Sequence, residues 1–272
     1  MNKAVNDSAR ARPEPRGAVE KALEVLATLA RPGGPHRLAD VAKACDLPKP
    51  TAHRMLQTFA DAGFAVGTGG AYDVGPRLLG LSAAALAGSR VARAARPVLV
   101  DLRKRTGLTA HFAVRHADQA VYVEKVEPEQ AYRLNTRPGG EVPLYCTGVG
   151  RAILSRLPAA EVTAVLDAAP LKAWTAKTQT DPAAIRADLA TVDSLGYVVD
   201  DEQHEAHVRC VAAPVVSGDG AVAGAVSVAG LTFTLQPDAF AKLGPLVAEA
   251  ANRISAKLDN ASTPLHSVSD ED

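Results

Sequence analysis

One short segment of this chain gathers six hydrogen-bonding side chains of several kinds. Its members are polar and lie within ten positions of one another: Lys49, Thr51, His53, Arg54, Gln57 and Thr58. A guanidinium, an amide and hydroxyls can hydrogen-bond to base edges and to phosphates, which is the chemistry that DNA recognition requires. We therefore predict that these six side chains contact DNA, with Arg54 as the principal contact.

A second group contains thiols, imidazoles and a carboxylate, which are the components of a cysteine nucleophile with its base. Its members are Cys146, Cys210, His111, His204, His207 and Asp200. No short spacing pairs a cysteine with a histidine or forms a metal-ligand motif, and Cys210 lies in an apolar run typical of a buried, inert thiol. We therefore expect no catalytic residue, no metal site and no cofactor. A metal-responsive or thiol-redox-responsive regulator, or a cysteine-dependent enzyme, remains the alternative.

The six polar residues between Lys49 and Thr58 need a helix that presents them to DNA. The surrounding sequence predicts such a helix within a winged helix–turn–helix. A helix over residues 38–45 is ended by Leu47-Pro48, because a residue that precedes proline avoids the α region. Pro50 suits the first turn of a second helix, in which Ala52, Leu56 and Phe59 form part of an apolar stripe opposite the polar residues. Residues 64–74 then read as a two-stranded wing around a Gly-rich turn. This combination is typical of DNA-binding proteins.

The remaining sequence predicts a second domain of the α+β class, with helices on a mostly antiparallel sheet. Helices are predicted at 17–30, 77–88, 89–107, 148–157, 182–195 and 238–258, and strands at 109–114, 120–126, 132–136, 197–200, 209–216 and 221–233. The domains are predicted as a disordered tail (1–15), a DNA-binding domain (16–75), a linker helix (76–90), a second domain (91–259) and a disordered tail (260–272).

The composition is that of an ordinary globular protein, with 47% hydrophobic and 22% charged residues and a formal net charge of zero. Up to Asp73 there are ten Lys and Arg against eight Asp and Glu, so we expect a dimer or larger assembly that sums weak half-site contacts. Three cysteines without a CxxC pair indicate a reducing compartment. Without an apolar leader or a long apolar stretch, a cytoplasmic protein with no membrane contact is expected.

Three segments together resemble one known family. They are "LADVAKACDLPKPTAHRMLQTFADAGF", "PLYCTGVGRAIL" and "LGYVVDDEQHEAHVRCVAAPV", in this order and at a similar spacing. Over residues 17–259 the chain resembles the IclR family of bacterial transcriptional regulators. The resemblance implies a winged helix–turn–helix, a linker helix and a GAF-like domain that binds a small molecule. It also implies homodimers, or dimers of dimers (homotetramers), that repress or activate operons by binding double-stranded operator DNA. A repressor is the expected form.

The resemblance also implies which residues bind the effector. In "CTGVGRA" a turn runs into a helix, whose unpaired N–H groups can hold a carboxylate. The implied effector-binding residues are Gly148, Val149, Asp200, Val208, Cys210 and Ser227. Relatives carry a second serine where this chain has Ala229, so one hydroxyl partner is missing. We therefore expect an organic acid or aromatic effector that is larger or less polar than glyoxylate or pyruvate.

Overall fold

A computed structural model describes residues 17–31, 33–129 and 133–260. The chain divides into two compact units between Gly88 and Ser89. The predicted disordered tails lie outside the described residues, except that Asn260 ends the last helix rather than beginning a tail. In the described part of the chain, no helix is both long enough and apolar enough to cross a membrane.

The N-terminal unit is a three-helix core with a small sheet and a following helix. Its elements are α1 (Ala18–Leu29), β1 (His36–Arg37), α2 (Leu38–Ala44), α3 (Lys49–Asp61), β2 (Ala65–Thr68), β3 (Ala71–Val74) and α4 (Pro76–Gly88). The strand order is β1-β3-β2, with antiparallel pairing throughout. The β2–β3 turn uses Gly69 and Gly70, both with positive φ, as a tight hairpin requires. This is the predicted winged helix–turn–helix.

Helix α3 is held against α1 and α2 by its apolar side. Ala52 and Leu56 are fully buried, and Leu56 packs in one cluster with Val25, Leu29 and Val41. Burying a side chain of this size contributes about 1.5–3 kcal/mol, so the orientation of α3 about its own axis is well determined. The opposite, polar side of the helix is therefore left on the surface.

The C-terminal unit is built on one antiparallel sheet. Its elements are α5 (Arg90–Thr106), β4 (Thr109–His116), β5 (Gln119–Val126), β6 (Glu141–Pro143), α6 (Gly148–Leu154), α7 (Ala159–Asp167), α8 (Pro182–Leu195), β7 (Val198–Asp201), β8 (Val208–Val216), β9 (Val222–Leu231) and α9 (Phe240–Asn260), with a short 3-10 turn at Pro237–Ala239. The six strands follow the order β6-β5-β4-β9-β8-β7.

The two faces of this sheet have different roles. One face packs on α5 and α9 through an apolar core that includes Leu99, Phe112 and Val247. The other face packs on α6, and its core includes Ala212 and Ile153 together with both buried thiols of this unit, Cys146 and Cys210. Polar residues that point toward the second face are therefore enclosed within the domain.

One prediction for this unit was wrong, and one helix was missed. Tyr132 of the predicted strand 132–136 lies outside the described residues, and residues 133–136 form a loop. In this loop the carbonyls of Leu134 and Thr136 accept hydrogen bonds from Lys125 Nζ at 3.0 and 2.5 Å, so a side chain replaces a strand partner. The edge strand is instead β6. Helix α7 was not predicted at all.

Candidate functional site

The six residues predicted to contact DNA share the outer side of α3. Lys49, His53, Arg54, Gln57 and Thr58 are exposed, whereas Thr51 is half-buried. The exposure of His53 shows that it is not part of the apolar contact. The hydroxyl of Thr58 donates a hydrogen bond to the carbonyl oxygen of Arg54 at 2.9 Å, so its proton is used within the helix. Whether these residues contact DNA stays a prediction.

The six residues predicted to bind an effector surround one cavity of about 180 Å³. They come from α6 (Gly148 and Val149), the end of β7 (Asp200), β8 (Val208 and Cys210) and β9 (Ser227). Ala229, the position of the missing serine, also lines this cavity. The structure thus brings the predicted set together, while its binding of an effector stays a prediction.

Strand register explains why residues distant in sequence meet here. Asp200 pairs with Cys210, which pairs in turn with Ala229. In the neighbouring row Ala212 pairs with Ser227, which pairs with His111. Directly opposed residues of antiparallel strands lie on the same face of a sheet, so two adjacent rows form one wall of the cavity.

Helix α6 contributes the opposite wall and approaches the sheet closely. Thr147 caps the helix, because its Oγ1 accepts a hydrogen bond from the Gly150 amide at 3.1 Å. A Cβ atom on Gly148 would lie 2.7 Å from Cys210 Sγ. Glycine at this position therefore sets the distance between the helix and β8.

Asp200 is the buried carboxyl group of the cavity. Burial raises its pKa to about 7, and hydrogen bonds from the Gln203 and Gly148 amides and the charge of Arg151 oppose that rise. The Gln203 amide lies 2.8 Å from Asp200 Oδ1. Near neutral pH the group therefore exchanges between a proton donor and an anion.

The other titratable groups of the inner wall are uncharged at neutral pH. Burial lowers the pKa of His111 to about 3 and raises the pKa of Tyr122 and of Cys210. The charged lining residues Arg137, Glu141 and Glu205 are exposed instead. Apart from Asp200, the cavity thus has a neutral hydrogen-bonding interior, and its mouth is charged.

This chemistry weighs against the thiol hypotheses. Burial raises the pKa of Cys146 to about 12, so both thiols that lie beside or within the cavity stay protonated and weakly reactive. Among the described residues, no group of three or more His, Cys, Asp or Glu side chains is placed to hold a metal ion.

A buried arginine connects the cavity to its surroundings. Arg151 is 2% exposed, and its guanidinium donates to the Tyr145 carbonyl at 2.8 Å and to Gln203 Oε1 at 2.9 Å. Gln203 in turn holds Asp200. Arg151 therefore positions the loop after β7, whose Gln203 amide binds the cavity carboxylate.

A strap over residues 172–179 packs on the same loop. Thr178 Oγ1 donates to the Gln203 carbonyl at 2.6 Å, and the Trp174 ring lies 5.0 Å from the ring of His204, a lining residue. Trp174 is the only tryptophan of the chain. Its fluorescence is therefore placed to report on changes at the cavity.

Sequence reasoning missed several lining residues, among them Tyr122, Asn135, Thr136, Glu141 and Glu205. It considered His111 only as a possible catalytic or metal-binding residue. Tyr122 and His111 belong to strands, and only the strand order and register reveal that both face α6. Thr136 lies in the segment wrongly predicted as a strand.

Comparison with known proteins gives two family matches that span most of the chain. Residues 18–68 match the IclR helix-turn-helix domain, and residues 83–256 match the IclR C-terminal domain of bacterial transcriptional regulators. The transcriptional regulator BhcR of Paracoccus denitrificans is 30% identical over 240 residues, which cover 88% of this chain and 86% of that protein. The acetate operon repressor of Salmonella typhimurium is 30% identical over 242 residues, with 88% of each chain covered.

Two solved structures superpose on most of this chain. The IclR protein of Thermotoga maritima superposes with a TM-score of 0.70 at 28% identity, covering 88% of this chain and 98% of that one. An IclR homologue from Microbacterium hydrocarbonoxydans, in complex with 4-hydroxybenzoate, superposes with a TM-score of 0.78 at 27% identity, covering 90% and 100%. The predicted fold class is confirmed: a helix–turn–helix domain followed by an α+β domain with an antiparallel sheet.

Proposed function

Because the chain belongs to the IclR family of bacterial transcriptional regulators, as the sequence resemblance predicted, it is a DNA-binding regulator, and we propose that it is a repressor controlled by a small organic acid or aromatic effector. The effector occupies the cavity of the C-terminal unit, and its binding changes the affinity of the N-terminal unit for an operator. A ligand can do this only through different affinities for two states of the protein.

The observation that carries this proposal is the convergence of Gly148, Val149, Asp200, Val208, Cys210 and Ser227 on one cavity. A concave pocket with a few convergent polar groups is typical of small-molecule sites. The polar side of α3 is exposed and carries the complementary groups for DNA. The chain thus combines a ligand site and a DNA-reading surface.

The size of the cavity limits the effector. An engineered cavity of about 150 Å³ accepts benzene, so the 180 Å³ found here suits a single substituted ring or a smaller acid. The relative bound to 4-hydroxybenzoate supports this size class. The Gly148 amide already binds Asp200, so the Val149 N–H is the amide of this pair that suits a carboxylate, and protonated Asp200 can donate a hydrogen bond to it.

We also propose a homodimer, or a dimer of dimers, whose copies pair through α1 and α4. The support is apolar surface on both helices: Val19 and Leu23 on α1, and Leu79 and Leu81 on α4, are each more than half exposed. Pairing would bury this surface and place two recognition helices on successive half-sites of DNA. A bacterial regulator of this kind acts in the cytoplasm, and its activity is not enzymatic.

Fluorescence anisotropy with the DNA upstream of the protein's own gene tests the DNA part of the proposal. Replacing Arg54 with alanine is expected to weaken operator binding by about 1–3 kcal/mol if the guanidinium makes a bidentate base contact. Wild-type binding is expected to weaken steeply with rising salt. Arg186→Ala is the matched control, because Arg186 pairs with Asp167 in the C-terminal unit.

The control variant should bind as tightly as the wild type. Equal operator affinity of the wild type and Arg54→Ala would overturn the assignment of α3 as the recognition helix. If the upstream DNA is not bound at low salt, selection from random sequences supplies the site. Failure to recover any site would overturn the DNA-binding proposal itself.

A further inference from the structure

His111 is a buried polar side chain of the cavity that the predicted effector residues do not include. It lies in β4 opposite Ser227, lines the cavity and is 1% exposed. Its Nε2 atom is 2.7 Å from Thr136 Oγ1. Its Nδ1 atom is buried and has no hydrogen-bond partner among the described residues. A buried polar atom without a partner costs about 1–3 kcal/mol, so an unpaired nitrogen on a residue that lines the cavity calls for an explanation.

The imidazole ring is held in place by its surroundings. The ring packs against Tyr122 with centroids 4.9 Å apart. The loop that carries Thr136 is fixed by Lys125, whose Nζ donates to the carbonyls of Leu134 and Thr136. The hydrogen bond to Thr136 and the ring contact together limit rotation of the side chain. Nδ1 is therefore preorganised rather than free to find another partner.

The charge state of the ring selects the chemistry of its partner. Burial and the positive charge of Lys125 keep the imidazole neutral, because they lower its pKa to about 3. Depending on the tautomer, Nδ1 of a neutral imidazole either donates or accepts one hydrogen bond. A hydroxyl can do either, whereas a carboxylate only accepts and an ammonium only donates. Burial also disfavours a charged ligand group beside a neutral ring.

From this geometry we propose that His111 is a specificity-determining residue, and that the effector is a hydroxylated organic acid whose hydroxyl pairs with Nδ1. The inference rests on the proposed function, because it names the chemical class that the same cavity selects. The acid end of the molecule meets the Gly148 side of the cavity, and the hydroxyl meets the β4 side. Relatives carry a second serine at the position of Ala229, so β9 offers one hydroxyl fewer in this chain. Recognition of the effector through His111 of β4 is consistent with this difference.

Calorimetric titration of the full-length protein with matched acids tests the proposal. The probes are 4-hydroxybenzoate against benzoate, and lactate against propionate, so that each pair differs by one hydroxyl. The wild type should bind the hydroxylated member of at least one pair about tenfold more tightly, because the parent acid leaves Nδ1 unpaired. His111→Phe keeps a ring against Tyr122 but removes both nitrogens, and it should reduce this preference to less than about twofold.

Two further variants separate recognition from folding. His116→Phe makes the same change at the exposed end of β4 and should keep the wild-type preference. His111→Asn keeps a hydrogen-bonding group and should retain part of it, even if the phenylalanine variant does not fold. Trp174 fluorescence, read in the same titrations, gives a second measure of binding.

The outcomes separate the two proposals. If the wild type binds both members of each pair equally, or if His111→Phe keeps the preference, the role of His111 is overturned and the effector cavity stands. If none of the four acids binds, and none alters operator affinity, the proposal that this cavity takes small acids fails, and the hydroxyl assignment fails with it. A preference that is present in the wild type and His116→Phe and lost in His111→Phe supports both.

Discussion

The recognition helix and the effector cavity present polar groups in opposite ways. Helix α3 presents its polar residues from one continuous segment, and five of the six are exposed to solvent. The cavity collects its polar groups from β4, α6, β7, β8 and β9, and encloses them in the domain. DNA supplies dense charge of its own, so a solvated helix face suffices for it. A small effector offers few groups, and the protein must arrange their partners in advance.

This contrast separates two kinds of mutation. A change on the outer side of α3 alters the contact with a partner and leaves the core of the N-terminal unit intact. A change at the cavity also alters the packing between α6 and the sheet, because the same atoms form the wall and the core. A substitution at the cavity should therefore reduce both the stability of the protein and its affinity for the effector. A substitution on the outer side of α3 should reduce the affinity for DNA and leave the stability unchanged.

The largest expected effect is the loss of stability on adding a methyl group at Gly150, where α6 packs against the segment that precedes it. A Cβ atom on Gly150 would lie 2.4 Å from both the Cα and the carbonyl oxygen of Leu144. Backbone must shift to accept it, so Gly150→Ala should lower the free energy of unfolding by about 3 kcal/mol or more. Urea unfolding followed by circular dichroism measures this loss.

Gly80→Ala, in the N-terminal unit, is the matched control. Gly80 is an exposed residue within α4, and apart from its chain neighbours and the backbone of its own helix no atom lies within 4 Å of where its Cβ would be. The same substitution there should stabilise the helix by about 0.5–1 kcal/mol, because glycine is the poorer helix former. Equal effects of the two substitutions would mean that α6 is not tightly packed on its neighbours.

An effect of the opposite sign, a stabilisation at high pH, is expected when the buried carboxylate of Asp200 is removed. The pKa of Asp200 rises from 3.8 to about 7 on folding, so the folded state binds more protons than the unfolded state between these values. The free energy of unfolding should therefore fall as the pH rises from about 4 to about 7. Asp200→Asn removes this dependence and should stabilise the protein at pH 8 by at most about 4 kcal/mol relative to its effect at pH 4.

Thermal unfolding of the wild type and Asp200→Asn across this pH range measures the difference. Asp219→Asn is a suitable control, because Asp219 lies in a turn where hydrogen bonds from Ser217 and Ala221 lower its pKa. Its stability difference from the wild type should not vary across pH 5–8. A constant difference for Asp200→Asn as well would show that Asp200 is ionised throughout and is not desolvated.

The same contrast explains what the sequence could predict. The spacing of Ala52, Leu56 and Phe59 determines the buried side of α3, and the exposed side follows directly. The cavity residues were predicted from motifs that the chain shares with a family. His111 and Tyr122 were not, because their position depends on which strands are neighbours and in which register. The strand predicted over 132–136 failed because Lys125, a residue of another segment, holds the carbonyls of that loop.

The smallest expected effect lies within the recognition helix. Thr58 was predicted to contact DNA together with Arg54, but its hydroxyl proton is donated to the Arg54 carbonyl at 2.9 Å. Only the oxygen lone pairs then face a partner, and phosphate oxygens cannot donate a hydrogen bond to them. Thr58→Val keeps the branched shape and removes the hydroxyl, so operator affinity should fall by less than about 0.5 kcal/mol, against about 1–3 kcal/mol for Arg54→Ala. Competition anisotropy at fixed salt resolves the two values. A loss as large as that of Arg54→Ala would mean that Thr58 turns its hydroxyl away from the helix to reach the DNA, and that the exposed polar side of α3 rearranges on binding.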